Sequence, residues 1–256
     1  MLKYLVVIFL TLSFSAVGYA RETVSIAAAA DLVYCMQDLN AEFRKDHPDI
    51  DIEVSNGSSG TFFRQIKEGA PFDVYLSADM NYPRELATLG MVDRSSLTLY
   101  AIGRIVLWTM ELDINVDAGF SILRSSKVVK IALANPEHAP YGRAAKAAME
   151  KAGLWKEVEP KVVYGENIVQ AKQYAETRNA EVAVLALSLV RAPTMQGKGR
   201  YWVVPEDMYP ALEQGAALTT QGKAKAAARM YLEYLRTVDA RKIFERYGFL
   251  LPSDKK

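Results

Sequence analysis

Two hydrophobic periodicities alternate along the chain after its first twenty residues. Strand-length segments that are uncharged or alternate between apolar and polar residues are followed by stretches with apolar residues at helical spacing. In the first unit, residues 23–30 have the pattern of a strand, and the apolar positions of the helix that follows are Leu32, Met36, Leu39 and Phe43. Repetition of such units predicts an α/β protein with largely parallel sheets.

Later segments repeat the same unit. Strands are predicted at 50–54, 73–77, 104–110, 130–134, 162–164 and 181–187. Helices are predicted around 62–66 and at 83–89, 141–152, 167–178, 221–235 and 239–247. Gly90, Gly153 and Gly248 follow three of these helices directly, as C-terminal stop signals do.

The number of hydrophobic cores is suggested by length. The 236 residues that follow the first twenty approach the size at which one core divides into two. No linker rich in Pro, Ser and Gly separates two halves, so two lobes that exchange strands are favoured. We predict lobe 1 from residues 21–100 and 208–256 and lobe 2 from 101–207, with the chain crossing between them near 99–104 and 208–214.

The N-terminus has the three parts of a secretory signal. Lys3 precedes an apolar run over 5–14, and small residues at Gly18 and Ala20 fit cleavage after Ala20. An uncleaved membrane anchor is the alternative, but the run is shorter than the about 20 residues that span a bilayer. Because the residue directly after the cleavage position is Arg21 and not a cysteine, lipid attachment is disfavoured, and a bacterial periplasmic location is expected.

Charge and cysteine content exclude several classes of protein. One of the 31 basic residues lies in the signal-like segment, so the rest of the chain carries 30 basic and 30 acidic residues. A neutral chain does not fit a nucleic-acid binder that neutralises phosphates. Cys35 is the single cysteine, so neither an intrachain disulfide nor a Cys-x-x-Cys site is possible. Half of the residues are apolar, as expected of a globular protein. Separately, we expect a monomer.

Candidate chemistry lies where strands or loops lead into helices. Four such junctions are at 30–31, 58–60, 141–142 and 167–168. The first N–H groups of a helix have no partner within it, and the helix dipole is positive at that end. Two junctions from each of two facing lobes would form a shell of neutral donors, which suits an oxyanion. Ser, Gly and Asn are also ordinary residues at helix starts, so the junctions alone leave a purely structural role open.

Five further segments are informative when taken together. They are Ala-Ala-Ala-Ala-Asp-Leu at 27–32, Gly-Ser-Ser-Gly-Thr at 57–61, the stretch 69–79, Pro-Glu-His-Ala-Pro-Tyr-Gly at 136–142, and Phe-Glu-Arg-Tyr-Gly-Phe at 244–249. These segments resemble the periplasmic molybdate-binding proteins of ABC transporters. The segments occur in the order of that family and extend over nearly the whole chain. The second and fourth are the most specific, because a short alanine run before a helix occurs in many proteins.

The resemblance implies a type II periplasmic binding protein, with two lobes joined by crossing hinge strands. It implies molybdate or tungstate as the ligand, no cofactor, no metal cation, no catalytic activity, and an ABC permease in the inner membrane as the partner. The residues that it places at the ligand are Ala30, Asp31, Ser58, Ser59, Tyr141 and Ile168. Most of these would contribute backbone N–H groups, and Ser59 would add its hydroxyl.

Two positions depart from the family. Asp31 stands where some members have a serine, and Ala186 where some have a tyrosine whose hydroxyl donates to the ligand. A negative charge ~5 Å from a dianion costs roughly 7 kcal/mol at an effective dielectric of about 20, so the Asp31 carboxylate is expected to turn aside and cap the first helix. If it faces the cleft instead, a cationic ligand is favoured. The hydroxyl of Tyr141 is a hypothetical replacement for the donor missing at Ala186.

Two alternative functions remain open from the sequence. The first is a binding protein for another anion or an organic acid. The second is a periplasmic serine hydrolase with Ser59 as nucleophile and His138 as base, although no Gly-x-Ser-x-Gly elbow surrounds Ser59. Without a second His or Cys nearby, His138 is a poor metal ligand, and a role in bracing its loop is favoured.

Overall fold

A computed structural model of the chain describes residues 21–252. The signal-like segment 1–20 with its cleavage position, and the last four residues, lie outside this range. Ten strands are present in the described range: β1 (Glu22–Ala29), β2 (Ile50–Gly57), β3 (Val74–Ser77), β4 (Thr98–Gly103), β5 (Ile105–Thr109), β6 (Ile131–Ala134), β7 (Val162–Gly165), β8 (Val182–Ala186), β9 (Arg200–Val203) and β10 (Leu212–Leu218).

Nine α-helices alternate with these strands in the described part of the chain. They are α1 (Cys35–Asp46), α2 (Ser59–Lys67), α3 (Asn81–Thr88), α4 (Pro140–Lys151), α5 (Trp155–Val158), α6 (Ile168–Glu176), α7 (Leu187–Val190), α8 (Ala226–Tyr234) and α9 (Val238–Arg246). Short 3-10 helices add single turns, and the one over Ala30–Leu32 leads from β1 toward α1. None of the helices within 21–252 is both long and apolar enough to cross a bilayer.

The strands form two five-stranded mixed sheets. One has the order β2-β1-β3-β10-β4 and the other β7-β6-β8-β5-β9. Pairings of β1 with β2 and β3, and of β6 with β7 and β8, are parallel, whereas every pairing of β10 and β5 is antiparallel. The prediction of largely parallel sheets was therefore wrong. β5 enters the second sheet directly from the first, and β10 enters the first sheet directly from the second. Neither strand follows a helical crossover within its own sheet, which is the connection that makes neighbouring strands parallel.

The chain passes between the sheets at two places. Only Arg104 separates β4 in one sheet from β5 in the other, and residues 204–211 connect β9 back to β10. The Arg104 Nε donates to the carbonyl of Gly248 at 3.0 Å, and the N–H of Ile105 donates to the Tyr209 hydroxyl at 3.3 Å. These bonds tie the two crossings to each other and to the end of the chain. The exact lobe limits at 100/101 and 207/208 stay a prediction.

Helices cover both faces of the first sheet because its inner strands are apolar on both sides. Val24, Ile26 and Ala28 of β1 belong to a core that extends through both lobes. Ala27, on the opposite face, packs in a second cluster with Phe62 from α2. Burial on two faces explains why β1 is apolar throughout from Ile26 to Ala29, after the alternation of its first residues.

Three strands were not predicted from the sequence. They are β4, β9 and β10. β4 lies at the first expected crossing, 99–104, and β10 begins inside the second, 208–214. The first crossing runs directly from β4 into β5, whereas the second runs through the connection 204–211. β9 carries Arg200, Tyr201, Trp202 and Val203 at the edge of its sheet, and most of its side chains are exposed. An edge strand without a buried face gives little periodic signal.

Candidate functional site: a cavity between the two lobes

A small cavity lies between the lobes and brings the sequence-predicted site residues together. It encloses about 210 Å³ of empty space, part of it open to solvent. All six predicted residues line it, together with six that were not predicted. The lining is Ala29, Ala30, Asp31, Gly57, Ser58, Ser59, Ala78, Ala139, Pro140, Tyr141, Asn167 and Ile168. No lysine or arginine is among these residues, and Asp31 is the one carboxylic acid.

Helix starts from both lobes supply the walls of this cavity. Ser59 is the first residue of α2 in lobe 1, and Ile168 is the first residue of α6 in lobe 2. Asn167 caps α6, since its Oδ1 accepts from the N–H groups of Val169 and Gln170 at 2.9 and 3.1 Å. The N–H of a first helical residue has no carbonyl partner inside its helix. Both helices therefore direct donor-rich ends at the cavity.

The start of α4 provides a third donor end. Pro140 occupies its first position, which costs no hydrogen bond because a proline has no N–H to lose there. The next residue, Tyr141, places its backbone N–H in the first turn. Gly142 then allows the helix to pass close to β6, because a Cβ at this position would lie 2.1 Å from the carbonyl oxygen of Ala134. The Pro-Tyr-Gly sequence thus fixes where α4 begins.

Among residues 21–252, none accepts the hydroxyl proton of Ser59. Its Oγ accepts from the N–H of Ala78 at 2.9 Å, and its carbonyl accepts from the Tyr75 hydroxyl at 2.6 Å. Ser58 differs, because its Oγ accepts from Thr61 N–H at 3.3 Å and donates to the carbonyl of His138 at 3.1 Å. Of the two serines, Ser59 is the one whose hydroxyl can donate to a ligand.

His138 links the lobes through its backbone and braces a loop through its ring. The His138 carbonyl also accepts from Gly60 N–H at 2.9 Å, and a Cβ at Gly60 would lie 2.7 Å from that oxygen. The ring Nε2 lies 2.9 Å from the carbonyl oxygen of Glu166. The hydrolase interpretation with Ser59 and His138 is not supported, because each side chain is hydrogen-bonded to a backbone group rather than to the other.

Asp31 is the unusual residue of the cavity. Its side chain is 1% exposed, and its Oδ2 accepts from the Tyr141 hydroxyl at 2.9 Å. Its Oδ1 is buried and has no hydrogen-bond partner, while its backbone carbonyl accepts from Ser188 Oγ at 2.7 Å. Burial raises the pKa of Asp31 from 3.8 to about 7, and the hydrogen bond from Tyr141 and the nearby backbone N–H of Asp31 itself oppose the rise.

A chain of neutral groups stands behind this carboxyl. The Tyr100 hydroxyl donates to Gln214 Oε1 at 3.2 Å, and Gln214 Nε2 donates to the Tyr141 hydroxyl at 3.3 Å. Sequence reasoning missed Gln214 and Tyr100. The available signal was a glutamine beside the apolar run 215–218, since a fully buried amide needs partners on both its oxygen and its nitrogen.

Two expectations about this part of the site were wrong. The Asp31 side chain caps no helix: it lies inside the 3-10 turn, and α1 begins only at Cys35 without any side-chain cap. The Tyr141 hydroxyl gives its proton to Asp31 and not to the cavity, so it does not replace a donor missing at Ala186. The Tyr141 hydroxyl and Asp31 Oδ2 are hydrogen-bonded to each other across the lobe boundary, an arrangement that local sequence cannot indicate.

The donor set fits an anion better than a metal cation. Within 21–252 no group of three or more His, Cys, Asp or Glu side chains is placed to hold a metal ion. Backbone N–H groups at helix starts bind anions and repel cations.

Comparison with known proteins agrees with this geometry. The sequence model of the family described as bacterial extracellular solute-binding proteins matches residues 24–250. The chain belongs to this family. It is 39% identical to the molybdate-binding protein ModA of Rhodobacter capsulatus over 76% of this chain and 75% of that protein. With ModA of Azotobacter vinelandii it shares 36% identity over 88% and 89% of the two chains. The resemblance to periplasmic molybdate-binding proteins is confirmed.

A solved structure extends the comparison to the fold. The periplasmic molybdate-binding protein of Azotobacter vinelandii superposes with a TM-score of 0.84 at 27% identity, covering 90% of this chain and 99% of that one. The sulfate-binding protein SubI of Mycobacterium tuberculosis matches with a TM-score of 0.72 at 14% identity, over 91% and 88% of the chains, and shows the fold alone. The predicted two-lobed α/β periplasmic binding protein fold is confirmed.

Proposed function

We propose that this chain is a periplasmic receptor that captures molybdate or tungstate between its lobes and delivers it to an ABC permease. The observation that carries the proposal is a cavity lined by helix starts from both lobes and by no basic side chain. A dianion there is held by several oriented N–H groups and the Ser59 hydroxyl. Hydrogen bonds to charged groups are about twice as strong as neutral ones.

Phosphate is disfavoured only while Asp31 is protonated. Phosphate retains a proton near neutral pH, and the free Oδ1 of an ionised Asp31 at the cavity is an acceptor for that proton, whereas a protonated Asp31 is not. Sulfate has no such proton, so it is distinguished only by its smaller size. Relatives named for molybdate, at 36% and 39% identity, favour the larger anion.

Delivery to a permease fits contacts that join the lobes. Arg143 of α4 donates to Asp79, which follows β3, with 2.7 Å between Nη2 and Oδ2, and the Gly60 N–H reaches His138 from the other lobe. These contacts exist only when the lobes are together. A permease that contacts both lobes at once would therefore distinguish the closed, ligand-bound receptor from the open one. We expect the receptor to act as a monomer, without a cofactor, nucleic acid or catalytic turnover.

Competition calorimetry tests the proposal. Protein starting at Arg21 is titrated with molybdate, tungstate, sulfate and phosphate. Molybdate and tungstate are expected to bind tightly, and sulfate and phosphate more weakly. Ser59→Ala is expected to weaken molybdate binding by about tenfold through loss of one hydrogen bond to a charged ligand. Sulfate binding as tightly as molybdate would overturn the assignment, and an anion of another class would then be sought.

A further inference from the structure

The free oxygen of Asp31 is the starting point for a further inference. The Asp31 carboxyl has one oxygen satisfied by Tyr141 and another, Oδ1, buried without a partner. Apart from the hydroxyl of Tyr234, no other buried side-chain nitrogen or oxygen within 21–252 lacks a partner. The exception at Asp31 lies at the candidate ligand cavity. An unsatisfied buried carboxylate oxygen is costly, so its retention at this position calls for a partner from outside the chain.

Hydrogen-bond directions determine which oxygen can carry a proton. The amide nitrogen of Gln214 can only donate, and it donates to the Tyr141 hydroxyl. Tyr141 in turn donates its own proton to Asp31 Oδ2. Since Oδ2 already accepts a hydrogen bond, a proton on this carboxyl belongs on Oδ1. A neutral Asp31 would therefore carry its O–H on Oδ1, the free oxygen of a residue that lines the cavity.

No cation neutralises Asp31 within the described residues. The cations on the elements packed against its turn form ion pairs with other carboxylates. From α6, Lys172 pairs with Glu176 at 2.5 Å, and from α4, Arg143 pairs with Asp79 at 2.7 Å. α7 contributes the uncharged Ser188. The remaining groups are Asp51 and Glu53 of β2, Tyr141 of α4, Tyr100 of β4, and Cys35 and Asp38 of α1.

We infer that Asp31 binds the oxyanion as a neutral acid that donates from Oδ1. When Asp31 is ionised in the empty site, binding of each anion is therefore coupled to the uptake of one proton by Asp31. This inference rests on the proposed function. The proton comes from solvent and moves to Oδ1, and no covalent bond forms or breaks. Burial already raises the pKa of Asp31 to about 7, and a dianion beside the carboxyl raises it further. Asp31 thereby becomes a donor that makes the affinity depend on pH.

Calorimetry with molybdate between pH 6.5 and 9 tests this inference on the protein from Arg21 onward. Titrations in two buffers of different ionisation enthalpy give the number of protons taken up per ligand. We expect an uptake approaching one above pH 8, and an apparent affinity that falls about tenfold for each pH unit above 7. Asp31→Asn keeps an acceptor for Tyr141 and places an N–H₂ donor at the other position. It is expected to bind without proton uptake and with little dependence on pH.

Glu53→Gln is the matched control, because it removes one negative charge from an exposed position on β2. It is expected to retain the pH dependence of the unaltered protein. Molybdate binding without proton uptake at pH 8.5 overturns the role of Asp31 and leaves the proposed receptor function intact. Absence of molybdate binding in both the unaltered protein and Asp31→Asn overturns the receptor function as well. The proton count on the unaltered protein decides the matter even if Asp31→Asn folds poorly.

Discussion

Two buried aspartates lie at opposite ends of the first sheet. One carboxylate is paired with a lysine and stabilises the fold, and the other has no cationic partner and lies at the candidate ligand site. Asp73, 1% exposed, precedes β3 and accepts from Lys225 Nζ at 2.8 Å and from Ser25 N–H at 2.9 Å. Asp31, equally buried, follows β1 and has a tyrosine hydroxyl as its one side-chain partner.

Asp73 and Asp31 have different partners because they lie at opposite ends of their strands. Asp73 lies where β3 begins, away from the cavity, and its cation holds α8 and its preceding turn against the sheet. Asp31 lies at the carboxyl end of β1, where open α/β sheets bind ligands. A lysine beside Asp31 would satisfy the carboxylate, but it would also remove the reason for that group to take up a proton. The comparison teaches that an incompletely satisfied buried acid is a better indicator of a site than burial alone.

The largest expected effect concerns the pH dependence of stability. Because burial raises the pKa of Asp31 from 3.8 to about 7, the folded chain holds this proton more tightly than the unfolded chain. Its stabilisation is complete below pH 3.8 and is lost as the pH rises to 7. Denaturant unfolding without ligand should show Asp31→Asn gaining roughly 4 kcal/mol relative to the unaltered protein between pH 4 and 8. If the difference in unfolding free energy between Asp31→Asn and the unaltered protein does not change with pH, burial does not raise the pKa of Asp31.

A smaller effect is expected when Asp73 is made to resemble Asp31. Lys225→Met removes its cation and leaves a buried negative charge with only the Ser25 N–H. Breaking a fully buried ion pair costs about 3–5 kcal/mol, but Lys225 is 41% exposed, so about 2 kcal/mol is expected from urea unfolding at pH 7. Lys223→Met, which removes an exposed lysine 3.8 Å from Asp93 and leaves Arg229 paired with that carboxylate, should cost much less. Equal losses in the two variants would contradict the structural role of Asp73.

The smallest effect is expected at a third aspartate, Asp79, at the edge of the cleft. Arg143 reaches it across the lobes and also donates to the Tyr82 hydroxyl at 3.1 Å. Partly exposed ion pairs contribute about 0.4–1 kcal/mol, so Arg143→Ala should weaken molybdate binding by about two- to fivefold in calorimetry. Lys146→Ala, whose partner Glu150 is on the same helix, should leave the affinity unchanged. Unchanged affinity in Arg143→Ala would show that this pair does not favour closure.

Local chemistry in the sequence was enough to predict most elements and the cavity wall. Ser58 and Asn167 cap the helices that follow them, Pro140 opens α4, and Gly153 and Gly248 have the positive φ values of 70° and 87° that favour glycine after a helix. Each of these signals acts within a few residues. That range explains why the junctions were predicted well, and why strands that cross between lobes or lie at a sheet edge were not.

The sequence by itself determined the alternation of strands and helices, the helix starts that supply donors, and the absence of basic residues at those junctions. Tertiary structure alone decided what Asp31 does. Its partners Tyr141 and Ser188 are separated from it by 110 and 157 positions in the chain, and they meet it because the lobes close on one another. A carboxylate next to a helix start indicates a cap when only neighbours in sequence are considered. It becomes a buried acid with one free oxygen once the opposite lobe excludes water and supplies a hydroxyl.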